Sequence, residues 1–212
     1  AWLWLDSRSS KIQSELSLLD TEEYRFNTTG TGIFSGQQSC QLLHIKKFDR
    51  DIFNKTKTAF HCKDWLYYKL TGVIATDPSE ACFTFGNFRT RDYDNKVIDD
   101  LGLSNRKDIL PEIIDGSKQN DSLNEEAAKI IGLNAGTPVS LSYIDAVCSS
   151  LGGGGIDLNS KVGFSSLGST SAHMKYSEIS KITPNQNLRS GYVMLLPIED
   201  IALQLQTNMS GT

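Results

Sequence analysis

The run Gly132-Leu133-Asn134-Ala135-Gly136-Thr137-Pro138-Val139-Ser140-Leu141-Ser142-Tyr143-Ile144-Asp145-Ala146-Val147-Cys148-Ser149-Ser150-Leu151-Gly152-Gly153-Gly154-Gly155 is followed, after a short gap, by Phe164-Ser165-Ser166-Leu167-Gly168-Ser169-Thr170-Ser171. A helix is expected to end at Gly132, and an apolar strand to run from Pro138 to Ile144. Asp145 stands where that strand stops. A helix of small residues follows, then the break Gly152 to Gly155, then a second strand ending in the turn Gly168-Ser169-Thr170-Ser171. Strands alternating with helices predict an α/β protein. A carboxylate at one strand end and a hydroxyl-rich glycine turn at another can set a general base opposite a phosphate cradle. The glycine matters because it lets backbone amides approach phosphate oxygens closely.

Working outward, further motifs follow one another in order. Trp4-Leu5-Asp6-Ser7-Arg8 opens the series. Lys63-Asp64-Trp65-Leu66-Tyr67-Tyr68-Lys69-Leu70-Thr71-Gly72 and Thr76-Asp77-Pro78-Ser79-Glu80-Ala81 continue it. Leu110-Pro111-Glu112 and then Ala127-Ala128, Gly132-Leu133 and Gly136-Thr137-Pro138-Val139 lead into the central run. The ordered series resembles the FGGY family of carbohydrate kinases and covers nearly the whole chain. No single motif carries that resemblance alone.

The resemblance implies an actin/hexokinase-like (ribonuclease H-like) fold that uses ATP and Mg2+. Residues 1–155 would be the remainder of the amino-terminal, sugar-binding lobe, and residues 156–212 the start of the carboxy-terminal, nucleotide-binding lobe. Asp145 would be the general base at the acceptor hydroxyl and would meet Mg2+ only through a water. Trp4, Asp6 and Arg8 would form a wall of the sugar pocket, with Asp77 and Pro78 beside it. Gly168, Ser169 and Thr170 would form the second phosphate turn, Ser169 standing where the family usually has Thr. The substrate expected from the motifs is a ketopentose such as xylulose, or a related polyol. Ser142, Tyr143 and Ile144 replace the family's usual glycines and are expected to narrow the pocket, and Ala146 after the base argues against glycerol. The family's Asp-Gly-Thr phosphate motif would precede residue 1, so the isolated segment is expected to be inactive. A non-catalytic sugar-binding or regulatory relative is the competing reading, and a purely structural interaction domain a weaker third.

Composition bounds the alternatives. The chain has 212 residues, 39% of them hydrophobic and 22% charged, with net charge -4, which argues against a nucleic-acid surface. No apolar run approaches the roughly 18 residues of a membrane helix. Cys40, Cys62, Cys82 and Cys148 are scattered without paired or metal-ligand spacing, which points to reduced thiols and a cytoplasmic location. A small-molecule partner is expected, and a homodimer is left open.

Along the chain, Ala1 to Leu5 reads as a buried strand, and Ile12, Leu16 and Leu19 as one face of a helix. Residues 26–36 read as a loop, since their glycines lack the Gly-Lys-Ser/Thr ending of a phosphate loop. A helix is expected from about Gln37, with His44 on its face, and a short strand at Thr58 to Phe60. Lys63 to Leu70 reads as a helix closed by Gly72, with Trp65 and Tyr68 in the core. Asp77 is expected to cap a helix with Pro78 in its first turn. Residues 87–121 look peripheral, and Ser122 with Glu125 reads as a capping box. Three strands are expected in residues 161–167, 171–175 and 192–198.

Overall fold

The computed structural model describes residues 2–19, 21–154, 163–167, 171–185 and 191–208. Helices α1 (Ser10–Leu16), α2 (Glu22–Thr29), α3 (Gln38–Phe48) and α4 (Arg50–Lys55) come first. Then α5 (Cys62–Thr71), β1 (Ala75–Thr76), α6 (Pro78–Thr84), β2 (Gly86–Asn87), β3 (Asp92–Tyr93) and α7 (Asn95–Asp100) follow. A 3-10 turn at Ser104–Ile109 leads to β4 (Glu112–Ile113), β5 (Asp121–Ser122), α8 (Glu125–Ile131), β6 (Pro138–Val139) and α9 (Asp145–Gly152). The remainder is β7 (Phe164–Leu167), β8 (Ser171–Glu178), β9 (Gly191–Leu195) and β10 (Ile201–Asn208).

β1 and β4 pair in parallel around α5 to α7, with Thr76 opposite Ile113. β5 and β6 form a short antiparallel pair. The last four strands make one antiparallel sheet in the order β7-β8-β10-β9. β10, which the sequence reading did not anticipate, is its centre: Leu203 lies opposite Tyr176 on β8 and Met194 on β9. One apolar core gathers Ile12, Leu16, Phe85, Val97, Ile98 and Ile109 under the helices. Another joins Phe83 of α6, Tyr143 and Val147 of α9 to Met194, Leu203 and Leu205 of the sheet. Each such fully buried aliphatic side chain contributes about 1.5–3 kcal/mol. α6 and α9 are therefore seated on the sheet by the same cluster that closes it.

Local signals explain the helix ends that were anticipated. Asp77 caps α6 by accepting from Ser79 N–H at 2.9 Å, with Pro78 in the first turn. Gly72 and Gly132 close α5 and α8 at φ 85° and 74°, a region costly for residues with a Cβ.

Several expectations are corrected. Residues 2–5 form no strand: no described strand lies beside them, and the chain turns through a Leu3 C=O to Asp6 N–H bond, leaving Trp4 57% exposed. Residues 26–29 are the end of α2 rather than loop; the loop starts at Gly30, the left-handed cap. Thr58 to Phe60 makes one backbone bond, Ala59 N–H to Ile109 C=O, and no strand. Trp65 and Tyr68 are exposed, Tyr68 stacking on Phe60, while Tyr67 between them is the buried aromatic residue of α5. Residues 87–121 are not peripheral, because Val97, Ile98, Leu101 and Ile109 are core. Asn124, not Ser122, caps α8, accepting from Ala127 N–H at 2.8 Å; Ser122 is taken up by β5. The strand expected from Pro138 to Ile144 is paired only at Pro138–Val139 and runs on without a ladder.

Candidate active site

α5 and α6 bring five ionisable side chains together. Lys63 Nζ lies 2.6 Å from Asp64 Oδ1 and 2.5 Å from Asp77 Oδ2. His61 bridges the other side, with Nδ1 3.1 Å from Asp64 and Nε2 3.1 Å from Glu80. Asp64 and Asp77 are fully buried. Burial opposes the Lys63 charge, but Asp77, Asp64 and Glu80 outweigh it and hold the ammonium above its usual range. Burial likewise opposes the His61 charge, and Glu80 and Asp64 reverse the balance and raise its pKa. Glu80 is shifted upward by burial, only partly offset by His61 and Lys63. His61 also serves as cap of α5, with Asp64 reaching back to its backbone N–H.

Asp77 is thus expected at a substrate wall but found with one oxygen on Lys63 and the other on Ser79. Its Oδ1 accepts from both the backbone N–H and the hydroxyl of Ser79. Pro78 is buried too. Ser79 Oγ in turn accepts from Ile144 N–H at 3.1 Å, which ties the start of α6 to the segment ending at Asp145.

Asp145 is the first residue of α9 and is exposed. Its Oδ1 accepts from Ala146 N–H at 2.7 Å, and it makes no ion pair among the described residues. The competing expectation of an ordinary helix cap is not met, since Ile144 occupies the cap position. Tyr143 turns inward and is buried, its hydroxyl accepting from Arg91 Nη2 at 3.2 Å. It therefore does not narrow a pocket at Asp145.

The Trp4 to Arg8 segment lies across the start of α3. A Cβ at Gly36 would stand 1.9 Å from Trp4 C=O, so only glycine permits this approach. Gln41 Nε2 donates to Gly36 C=O at 3.0 Å, and Gln37 Nε2 to Phe83 C=O at 2.9 Å, which links this region to α6. Trp4 is exposed, whereas Asp6 and Arg8 hold each other: Arg8 Nε and Nη2 donate to the Asp6 carboxylate at 3.0 and 2.6 Å. Those bonds hold the Asp6 carboxyl down at about 2. Arg8 also lies 4.0 Å over the ring of Trp2. Gly168, Ser169 and Thr170 lie outside the described residues.

The quoted motifs contain Lys63, Asp64, Ser79 and Glu80 without giving them a part, and His61 lies outside them. The available signal was a charged pair opening one helix and an Asp77, Glu80 spacing opening the next. A concavity of about 710 Å³ lies elsewhere, on the face of the last sheet between Met174, Tyr176, Tyr192 and Gln204. Of the expected site residues that are described, none lines it. No group of three or more His, Cys, Asp or Glu able to hold a metal occurs among the described residues. A Mg2+ ion here would keep most of its ligands as water and phosphate oxygens, and the free outer face of Asp145 fits such a hydrated ion.

Residues 1–152 match the amino-terminal domain of the FGGY family of carbohydrate kinases. The chain belongs to that family. An erythritol kinase from Brucella abortus is 48% identical over 212 residues, which is 100% of this chain and 41% of the relative. An autoinducer-2 kinase from Escherichia coli strain K12 is 31% identical over 152 residues, 70% of this chain and 28% of the relative. A ligand-bound xylulose kinase from Lactobacillus acidophilus superposes with a TM-score of 0.84 at 20% identity, over 99% of this chain and 41% of that one. A glycerol kinase from Plasmodium falciparum with ADP gives 0.78 at 16%, over 99% and 41%. The fold of this FGGY chain is accordingly the actin/hexokinase-like α/β fold. Among the described residues no helix is long and apolar enough to cross a membrane.

Proposed function

We propose that this chain supplies the acceptor-activating part of an ATP- and Mg2+-dependent kinase acting on a short polyol, erythritol first, with Asp145 as general base. The observation that carries it is the exposed Asp145 carboxylate at the opening of α9, which makes no ion pair among the described residues, on a segment anchored to α6. Alcohol hydroxyls attack a phosphate poorly unless their proton is taken as the bond forms, and a carboxylate in hydrogen-bond reach does this. Mg2+, when bound with ATP, neutralises charge on the transferred phosphoryl group. In this reading residues 1–155 belong to the sugar-binding lobe and 156–212 open the nucleotide-binding lobe. Trp4, with the Asp6–Arg8 pair, lines the acceptor side, and Gly168 to Thr170 meet phosphate.

The four-carbon polyol is supported by 48% identity across the whole chain to an enzyme named for erythritol. A ketopentose is the second reading, favoured by the motif series around Asp145-Ala146. The test is coupled ATP consumption by the complete gene product on erythritol, xylulose, glycerol and gluconate, with Asp145→Asn in parallel. Turnover on erythritol, reduced about 10²- to 10⁴-fold in the variant, is expected. Acceptor binding without ATP use by either protein would favour a non-catalytic relative and overturn the proposal.

A further inference from the structure

The side chains of Leu141 and Tyr143 seat the segment carrying Asp145 in the core, but its backbone is bonded sparsely. Beyond Val139 it joins no strand ladder, and the backbone N–H immediately before Asp145, that of Ile144, donates to a side chain, Ser79 Oγ, at 3.1 Å. Ser79 is 1% exposed, and its own hydroxyl hydrogen goes to Asp77 Oδ1, so its oxygen faces Ile144 as an acceptor. Asp77 is held from two sides: Oδ1 accepts from Ser79 N–H at 2.9 Å, and Oδ2, which makes no hydrogen bond among the described residues, lies 2.5 Å from the Lys63 ammonium. Pro78 sets the backbone between them.

We propose that Ser79, oriented by Asp77 and Lys63, is the positioning residue for Asp145: through Ile144 N–H it sets where α9 begins and so where the carboxylate points. The inference rests on Asp145 being the general base proposed above. A base must come within about 2.6–3.2 Å of the proton it takes. A misplacement of about 1 Å is enough to cost on the order of 10²-fold in rate. Ser79 touches no reacting atom in this scheme; it acts through the backbone alone.

The experiment compares Ser79→Ala and Ser79→Thr in the complete enzyme, each also made in the Asp145→Asn background. Ser79→Ala is expected to lower kcat about 10²-fold, with KM for ATP and for the polyol nearly unchanged. Ser79→Thr, which keeps the hydroxyl, restores most of the rate. In the Asp145→Asn background Ser79→Ala has no further effect, because no base is left to misplace. Amide exchange in the peptide holding Ile144 and Ala146 speeds up in Ser79→Ala. Wild-type kcat in Ser79→Ala overturns the inference, as does an equal loss in both backgrounds, which marks a general structural role. A wild-type enzyme inert on every acceptor overturns the functional reading instead. In that case exchange at Ile144 decides Ser79's hold on the segment by itself: unchanged exchange in Ser79→Ala removes it.

Discussion

Lys63 illustrates how a single residue's part depends on neighbours its own motif does not reveal. Its ammonium lies against two buried carboxylates, so its removal leaves Asp77 with no cation beside it among the described residues and Asp64 with His61 alone. Breaking a buried pair in this way costs about 3–5 kcal/mol, and Lys63→Met is expected to lower the urea midpoint accordingly. His61 yields a prediction in pH. Its folded pKa is raised above 6.5 against the burial that opposes it, by Glu80 and Asp64, so the folded protein holds more protons than the unfolded chain just above that value. Stability from this pair is fully present below pH 6.5 and falls as pH rises through the folded pKa. Thermal midpoints taken from pH 6 upward are expected to decline more steeply for the wild type than for His61→Gln; parallel curves would remove His61 from the account. At this scale the cap formed by Asp77 was legible because it reaches only to Ser79. Its ion pair with Lys63 was not, since nothing in the sequence says that α5 and α6 meet there.

Elements were recognised where their signals are local. α5 and α8 end at glycines whose positive φ explains the stop, and α9 opens at Asp145 as expected. α7 was misjudged as peripheral, because Asp94, Asn95, Lys96, Asp99 and Asp100 dominate its composition while Val97 and Ile98 do the packing. Ile98→Ala is therefore expected to cost about 2–5 kcal/mol, measured by urea unfolding; a change within the noise would return α7 to the surface. The reverse error placed Trp65 and Tyr68 in the core. One residue is about 100° around a helix, so burying Tyr67, whose hydroxyl bonds Asp121, turns its aromatic neighbours outward.

Across the whole molecule, Arg91 joins the helical part to the last sheet. It sits at φ 61° in the β2–β3 turn, an uncommon conformation for a residue with a Cβ, and donates from Nη2 to Leu196 C=O at 2.8 Å and to Tyr143 OH. Its Nη1 is buried with no hydrogen-bond partner among the described residues, so the guanidinium is held at some cost in hydration. Arg91→Ala removes both bonds and is expected to cost about 1.5–3 kcal/mol. The loss should be read out as faster amide exchange in β9 and in the segment around Tyr143, with β5 and β6 unaffected. Lys118 and Glu199 also meet across this junction, but both are exposed, and their exchange for Ala is expected to leave stability unchanged.

The sequence by itself determined the α/β class, the family, the glycine ends of α5 and α8, the Asp77 cap of α6 and the position of Asp145 at the opening of a helix. All of these rest on short-range chemistry: caps, turn glycines, apolar periodicity and ordered motifs. Only the tertiary structure decided that Leu3, Trp4 and Leu5 lie exposed, that β10 centres the last sheet, and that Asp77 meets Lys63. Those outcomes depend on which surfaces meet. A charge reads the same in sequence whether it ends in water or between two buried carboxylates, and packing alone chooses between them.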